Sequence, residues 1–138
     1  MALSGGIDSA VAAALLRQQG LEVIAVHLHL TEGQPETSVV QALADYLDLE
    51  LRVVDLRAAF RTEIIEYFVS SYEGGQTPNP CVRCNERIKF GRLWQQVRDW
   101  GCSHLATGHY ARISQTEEGV WGLWRARDLA KDQSYFLH

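Results

Sequence analysis

The sequence predicts an α/β protein built on an open, mostly parallel sheet with helices on both faces, closed near its C-terminus by a β-hairpin. Three observations carry that prediction. Segments apolar on both faces, such as Val23-Ile24-Ala25-Val26, alternate with segments of helical periodicity, such as Val39, Val40, Leu43, Ala44 and Leu47. A glycine-rich turn, Ser4-Gly5-Gly6-Ile7-Asp8-Ser9, runs directly into helix formers from Ala10 to Gln19. The chain of 138 residues fits one domain, 1–138, long enough to bury a core without disulfide or metal staples.

Taken in order, the first helix is expected to end at Gly20, which suits a left-handed cap. Leu21 to Leu30 then reads as a strand, with His27 and His29 on one face. That pair would suit a metal, but the chain offers no obvious third ligand nearby. The plainer reading is a strand end that packs or touches a ligand. Thr31 to Thr37 is a polar loop containing Gly33 and Pro35, and a helix through Val39 to Leu47 leads to a short strand, Leu51 to Asp55.

Ala58 to Tyr72 is expected to be helical, with Phe60, Ile64, Ile65, Phe68, Val69 and Tyr72 on one apolar face. Prolines 78 and 80 exclude helix until after Pro80, and Glu86 to Trp100 reads as the next helix. Ser103 to Thr107 follows as a strand. Ala111 to Ser114 and Val120 to Arg125 then form the hairpin, with Trp121 and Trp124 on opposite faces, either of them suited to sheet packing. In such a sheet ligands sit at the carboxyl ends of the strands, where Ser4 to Ser9 and His27 to Leu30 both fall.

Composition narrows the class. With 46% hydrophobic and 22% charged residues the chain is that of a soluble globular protein, without an apolar run of membrane-spanning length or a signal peptide. A cytoplasmic location is expected. The formal charge of -4 does not advertise a nucleic-acid binder, yet Arg83, Arg87, Lys89 and Arg92 cluster, as do Arg125, Arg127 and Lys131. Both groups are either local basic surface or ordinary solvated faces. Three cysteines, Cys81, Cys84 and Cys102, point in a reducing compartment to catalysis or metal rather than a structural bridge. Cys102 reads as a core cysteine.

The glycine turn is built for phosphate. Two glycines allow close backbone approach, Asp8 or Ser9 can cap the helix, and the free N–H groups of its first turn point outwards. Ser4 and Ser9 can donate to phosphate, and Asp8 suits a magnesium ion bridging phosphates. Neither G-x-x-x-x-G-K-[ST] nor G-x-G-x-x-G is present. For Cys81-x-x-Cys84 three readings stand side by side: half a zinc site, a redox pair, or a sulfur-handling nucleophile, the last preferred. A helix N-terminus and neighbouring arginines would lower the Cys84 thiol pKa.

Ser4 to Ser9 resembles the S-G-G-x-D-S loop of the ATP pyrophosphatase superfamily, whose members cleave ATP between the α and β phosphates and transfer AMP to a substrate oxygen. Further blocks follow: Gly75-Gln76-Thr77-Pro78-Asn79-Pro80-Cys81-Val82-Arg83-Cys84-Asn85, Ile88-Lys89-Phe90, Ala106-Thr107-Gly108-His109-Tyr110-Ala111 and Lys131-Asp132-Gln133-Ser134-Tyr135-Phe136-Leu137. Together and in this order they resemble the signature blocks of the tRNA-specific 2-thiouridylases.

The resemblance implies a Rossmann-like, adenine nucleotide alpha hydrolase-like fold. It implies adenylation of the C2 oxygen of the wobble uridine by ATP with Mg2+, then replacement of that oxygen by sulfur from a persulfide donor protein. By position it assigns ATP to Ala2, Leu3, Ser4, Gly5, Gly6, Ile7, Asp8, Ser9, Leu28 and Gly108. The target base falls to Asn79, Pro80 and Cys81, tRNA contacts to His109, Lys131, Asp132 and Gln133, and the nucleophile to Cys84. Cysteine at position 81 leaves open an iron–sulfur cluster or a disulfide with Cys84. A flipped-out base also suits aromatic neighbours such as Tyr110 and Tyr135, which core packing would explain equally well.

Three departures from the family pattern shape the expectation. Only Met1-Ala2-Leu3 precede the glycine loop, so the first strand is expected to be stunted. The family continues past the last block with a second catalytic cysteine and further tRNA-binding domains, so the chain reads as a nucleotide-binding domain truncated at both ends. The loop after His29 lacks the aromatics of many relatives. A different ATP pyrophosphatase, or a non-catalytic module binding ATP or tRNA, is the alternative.

Overall fold

The computed structural model describes residues 1–33 and 37–137, so Pro35 and the middle of the predicted polar loop lie outside the described residues. Helix α1 spans Ile7–Gln18, strand β1 Ile24–His29, helix α2 Thr37–Tyr46 and strand β2 Glu50–Asp55. A continuous helical stretch over 57–73, α3, and another over 80–99, α4, follow; the hairpin strands are β3, Ala111–Gln115, and β4, Trp121–Arg125. Two short 3-10 turns, Leu129–Lys131 and Ser134–Phe136, carry the chain to its end.

β1 and β2 are parallel, in register from Ile24 opposite Glu50 to His29 opposite Asp55. Met1 to Leu3 extends this sheet by a stub. Ala2 bridges Val26 in parallel, the Leu3 N–H donates to the Val26 carbonyl and the Val26 N–H to the Met1 carbonyl, both at 2.8 Å. Met1 to Leu3 is thus anchored in the sheet, and the Ala2 N–H reaches on to the Ala106 carbonyl at 2.9 Å. Ser103 to Thr107 is not the regular strand expected; its backbone meets this sheet through that bond from Ala2. β1 likewise starts at Ile24 rather than Leu21, because its partner β2 begins opposite Ile24, and Leu21 is left exposed.

Helices cover both faces. On one, Ala13 of α1 and Val40 and Ala44 of α2 pack with Leu3, Ala25 and Leu49; on the other, Leu93 and Val97 of α4 pack with Val26 and Val54. Alternation along β1 sends Ala25 to the first face and Val26 to the second, as its doubly apolar sequence requires. A third cluster, Ile64, Cys84 and Ile88 against Phe60 and Leu30, joins α3 to α4. Leu93 is fully buried, so Leu93→Ala is expected to cost about 2–5 kcal/mol in urea unfolding.

Both long helices contain π-helical turns, Arg61–Ile65 in α3 and Asn85–Leu93 in α4, where the bonding steps to i+5. In α4, Gly91 permits this: a Cβ there would lie 2.9 Å from the Glu86 carbonyl oxygen. In α3 the change of pitch breaks the single apolar face expected from the sequence. Ile64 is buried, Phe60 half-buried, and Ile65, Phe68, Val69 and Tyr72 are exposed. α4 begins at Pro80, not Glu86, because the Asn79 side chain accepts from the Val82 N–H at 3.3 Å and proline fits the first helical position. The hairpin projects its tryptophans rather than packing them, Trp121 being 68% exposed and Trp124 44%. Among the described residues no helix is long and apolar enough to cross a membrane.

Candidate functional site

The glycine loop closes on itself. The Ser9 hydroxyl donates to the Gly6 carbonyl at 2.8 Å and lies 3.1 Å from the Ser4 hydroxyl, while the Ser4 N–H donates to Ser9 Oγ at 3.2 Å. Gly5 takes a φ of +85°, a region that only glycine enters without cost. The helix cap is Gly6, without a side-chain bond, rather than Asp8 or Ser9; both lie inside the first turn. The first intrahelical bond runs from the Ala10 N–H to the Gly6 carbonyl, so the N–H groups of Ile7, Asp8 and Ser9 have no intrahelical acceptor. With the Asp8 carboxylate exposed beside them, this turn offers free N–H groups and a carboxylate, a donor set that phosphate and a magnesium ion would fit. Magnesium held by Asp8 would neutralise phosphate charge.

The loop forms one wall of a cleft of about 270 Å³. Of the residues expected to hold ATP, Ala2, Leu3, Ser4, Asp8, Ser9, Leu28 and Gly108 line it, whereas Gly5, Gly6 and Ile7 shape the turn behind and Ile7 faces solvent. Gly108 presses directly against the loop: a Cβ there would stand 2.8 Å from Ser9 N and 3.0 Å from Asp8 C. His27, absent from the expected set, also lines the cleft. It is 2% exposed, its Nδ1–H donates to the Leu3 carbonyl at 3.0 Å, and its Nε2 has no partner among the described residues. His29 instead pairs with Thr37 Oγ1 at 2.9 Å.

A second cleft, of about 420 Å³, holds Cys81 and Cys84 with Pro80, and it shares Lys89, His109 and Gln133 with the first. Three residues therefore form the wall between the glycine-loop cleft and a cysteine. Lys89 Nζ approaches His109 Nε2 at 3.5 Å, and His109 Nδ1 bonds Thr107 Oγ1 at 2.8 Å. Burial, then the Lys89 charge, lower the His109 pKa below 6.5, so the imidazole is neutral at pH 7 and accepts from the ammonium. Gln133 is fixed by two bonds to the Tyr110 backbone, at 2.8 and 2.9 Å.

Cys84 differs from expectation. Because α4 starts at Pro80, Cys84 sits beyond the first turn, and Arg83 turns away to the Tyr67 ring and the Glu63 carbonyl. Burial raises its thiol above the ordinary 9.0, opposed by Lys89 and reinforced by Cys81. Exposed Cys81 is therefore expected to react first with iodoacetamide at pH 8, and buried Cys84 to follow as pH rises past 9. Peptide mass spectrometry separates the two.

All three cysteines are free thiols, and among the described residues no three His, Cys, Asp or Glu groups converge to hold a metal ion. An iron–sulfur cluster needs four ligands, and Cys81 and Cys84 supply two. Cys102 packs half-buried against the Val26 and Leu93 cluster, as expected.

The remaining expected residues stand around these clefts. Asn79 caps α4. Asp132 is held by the chain itself, accepting from the Ala126 N–H at 2.7 Å and the Ser134 hydroxyl at 2.8 Å; the backbone bond from Ala126 most of all lowers its pKa. Lys131 lies over the Tyr110 ring at 5.2 Å, and the Tyr110 hydroxyl donates to Asp8 at 3.1 Å, tying the last block to the glycine loop. The first basic group is not one open surface: Arg92 pairs with Glu63 and Arg87 with Glu86.

Comparison with known families matches residues 1–138 to the one described as "tRNA methyl transferase HUP domain". The chain belongs to this family. Its relatives include the tRNA-specific 2-thiouridylase MnmA of Syntrophomonas wolfei, 46% identical over 140 residues, which cover 99% of this chain and 40% of that protein. The protein of the same name from Desulfosudis oleivorans is 44% identical over 98% of the chain and 38% of its own length; that from Moorella thermoacetica is 45% identical over all of the chain and 43% of its own. The chain thus spans about two-fifths of the curated relatives it matches. Family membership supports the α/β, Rossmann-like fold read from the sequence.

Proposed function

We propose that residues 1–138 are the nucleotide-binding, catalytic domain of an ATP-dependent tRNA 2-thiouridylase acting in the cytoplasm. The observation that supports this reading is the wall of Lys89, His109 and Gln133 shared by the two clefts, which sets a cysteine beside the glycine loop. The names of the relatives supply the substrate class.

In this reading the loop from Ser4 to Ser9 and Gly108 hold the phosphates, and Leu28 the adenine. The C2 oxygen of the wobble uridine attacks the α-phosphorus, an O–P bond forms, and pyrophosphate leaves with the electron pair of the broken α–β bond. Lys89, beside both clefts, is the cation placed to steady charge on the α-phosphate. The terminal sulfur of a persulfide on a donor protein then attacks C2, and the C2–O bond breaks to release AMP. The Cys84 thiolate attacks the donor's inner sulfur, the S–S bond breaks with its electron pair passing to the sulfur on C2, and Cys84 is left in a disulfide with the donor. Pro80 and Cys81 flank the base; Asn79 acts by capping the helix that carries them. His109, Lys131, Asp132 and Gln133 form the tRNA-facing rim, Asp132 as its brace.

Product analysis tests the reaction class. Chromatography of magnesium-ATP incubated with the chain, unmodified tRNA and a persulfidated donor protein is expected to show AMP and pyrophosphate in equal amounts. ADP and phosphate as the products would overturn it.

A further inference from the structure

One buried acceptor beside Cys84 is unused by the account above. Asn85, the first residue of the π-helical turn of α4, is 4% exposed and lines the cysteine cleft. Its Nδ2 donates to the Phe136 carbonyl at 2.6 Å, which fixes the orientation of the amide. Its Oδ1 is then an acceptor only, and it has no partner among the described residues. Buried amide oxygens are almost always satisfied, because leaving one bare forfeits its hydration without return. A donor brought by a ligand would complete it. The cleft's apolar sides, Phe60, Ile64 and Phe136, suit a flat ring.

We infer that Asn85 Oδ1 accepts a hydrogen bond from the N3–H of a uracil ring in this cleft, and thereby selects uracil over cytosine. The inference rests on the proposed tRNA reading and names the residue that recognises the base. Uracil carries a hydrogen at N3 between its two carbonyls, whereas cytosine has a bare lone pair there, which would face the Oδ1 lone pairs. N3 is bonded to C2. Holding N3–H on Asn85 therefore places the carbon that exchanges oxygen for sulfur beside the preceding residue, Cys84.

The test uses the whole chain and three anticodon stem-loop RNAs, identical except for uridine, N3-methyluridine or cytidine at the wobble position, with affinities read by fluorescence anisotropy. The wild-type chain is expected to bind the uridine RNA at least about tenfold more tightly than the other two. Asn85→Leu is expected to bind all three equally while keeping its affinity for ATP, which reports an intact fold. Wild-type indifference to N3-methylation, or a preference that survives in Asn85→Leu, overturns the inference. The wild-type comparison needs no variant, so it decides even if Asn85→Leu misfolds. Failure of the wild-type chain to bind any of the three RNAs more tightly than a stem-loop without the anticodon loop overturns the tRNA reading itself.

Discussion

Replacing Gly108 with alanine is expected to weaken ATP binding at least tenfold, on the order of the 1–3 kcal/mol that overpacking a close contact costs. The new methyl group would meet Ser9 N at 2.8 Å and Asp8 C and Ser9 Cα at 3.0 Å, all of them backbone atoms. A flexible side chain could swing aside; a peptide held by Ser9 to Gly6 and Ser4 bonds has to move as a unit. That movement displaces the N–H groups proposed to cradle phosphate. Isothermal titration with ATP checks the affinity, and wild-type affinity in the variant would show that the loop does not depend on this contact.

Asp8→Asn is expected to act on turnover instead, lowering magnesium-dependent pyrophosphate release by roughly 10²–10³-fold. Asparagine keeps the shape, and its carbonyl oxygen can still accept from Tyr110, so the melting temperature is expected to change little. What is lost is one negative charge at the mouth of the glycine turn, and with it the proposed magnesium ligand. Equal activity in variant and wild type would remove Asp8 from the reaction.

The glycine turn stands out in the sequence because two glycines, two hydroxyls and a carboxylate fall in six residues, and the structure brings them together beside a cleft. Sequence reasoning located the parallel β1 and β2 because Val23 to Val26 is apolar on both faces. It missed the wall between the clefts for a physical reason. In an α-helix, Lys89 would be turned about 140° from Cys84, five residues earlier. The π-helical turn over Asn85–Leu93 instead brings both side chains to one cleft, and no periodicity in the sequence announces that turn.

Gly91 at the crowded Glu86 carbonyl was the available signal, visible only once the pitch is known. The same cause misplaced the apolar face of α3. The sign of the Cys84 shift was misread because proximity in sequence to Arg83 says nothing of where the guanidinium points; it points to Tyr67, and burial governs the thiol. The acceptor on Asn85 became visible only when the Phe136 carbonyl, 51 residues away, was seen to take its amide nitrogen.

The central claim, that nucleotide and cysteine clefts work on one base, is tested most directly by pyrophosphate release from magnesium-ATP, with and without unmodified tRNA, in the wild-type chain and in Cys84→Ser. Release is expected to require tRNA and to persist in Cys84→Ser, because adenylation precedes the sulfur step. Release that is indifferent to tRNA, or no release despite measurable ATP binding, would contradict it.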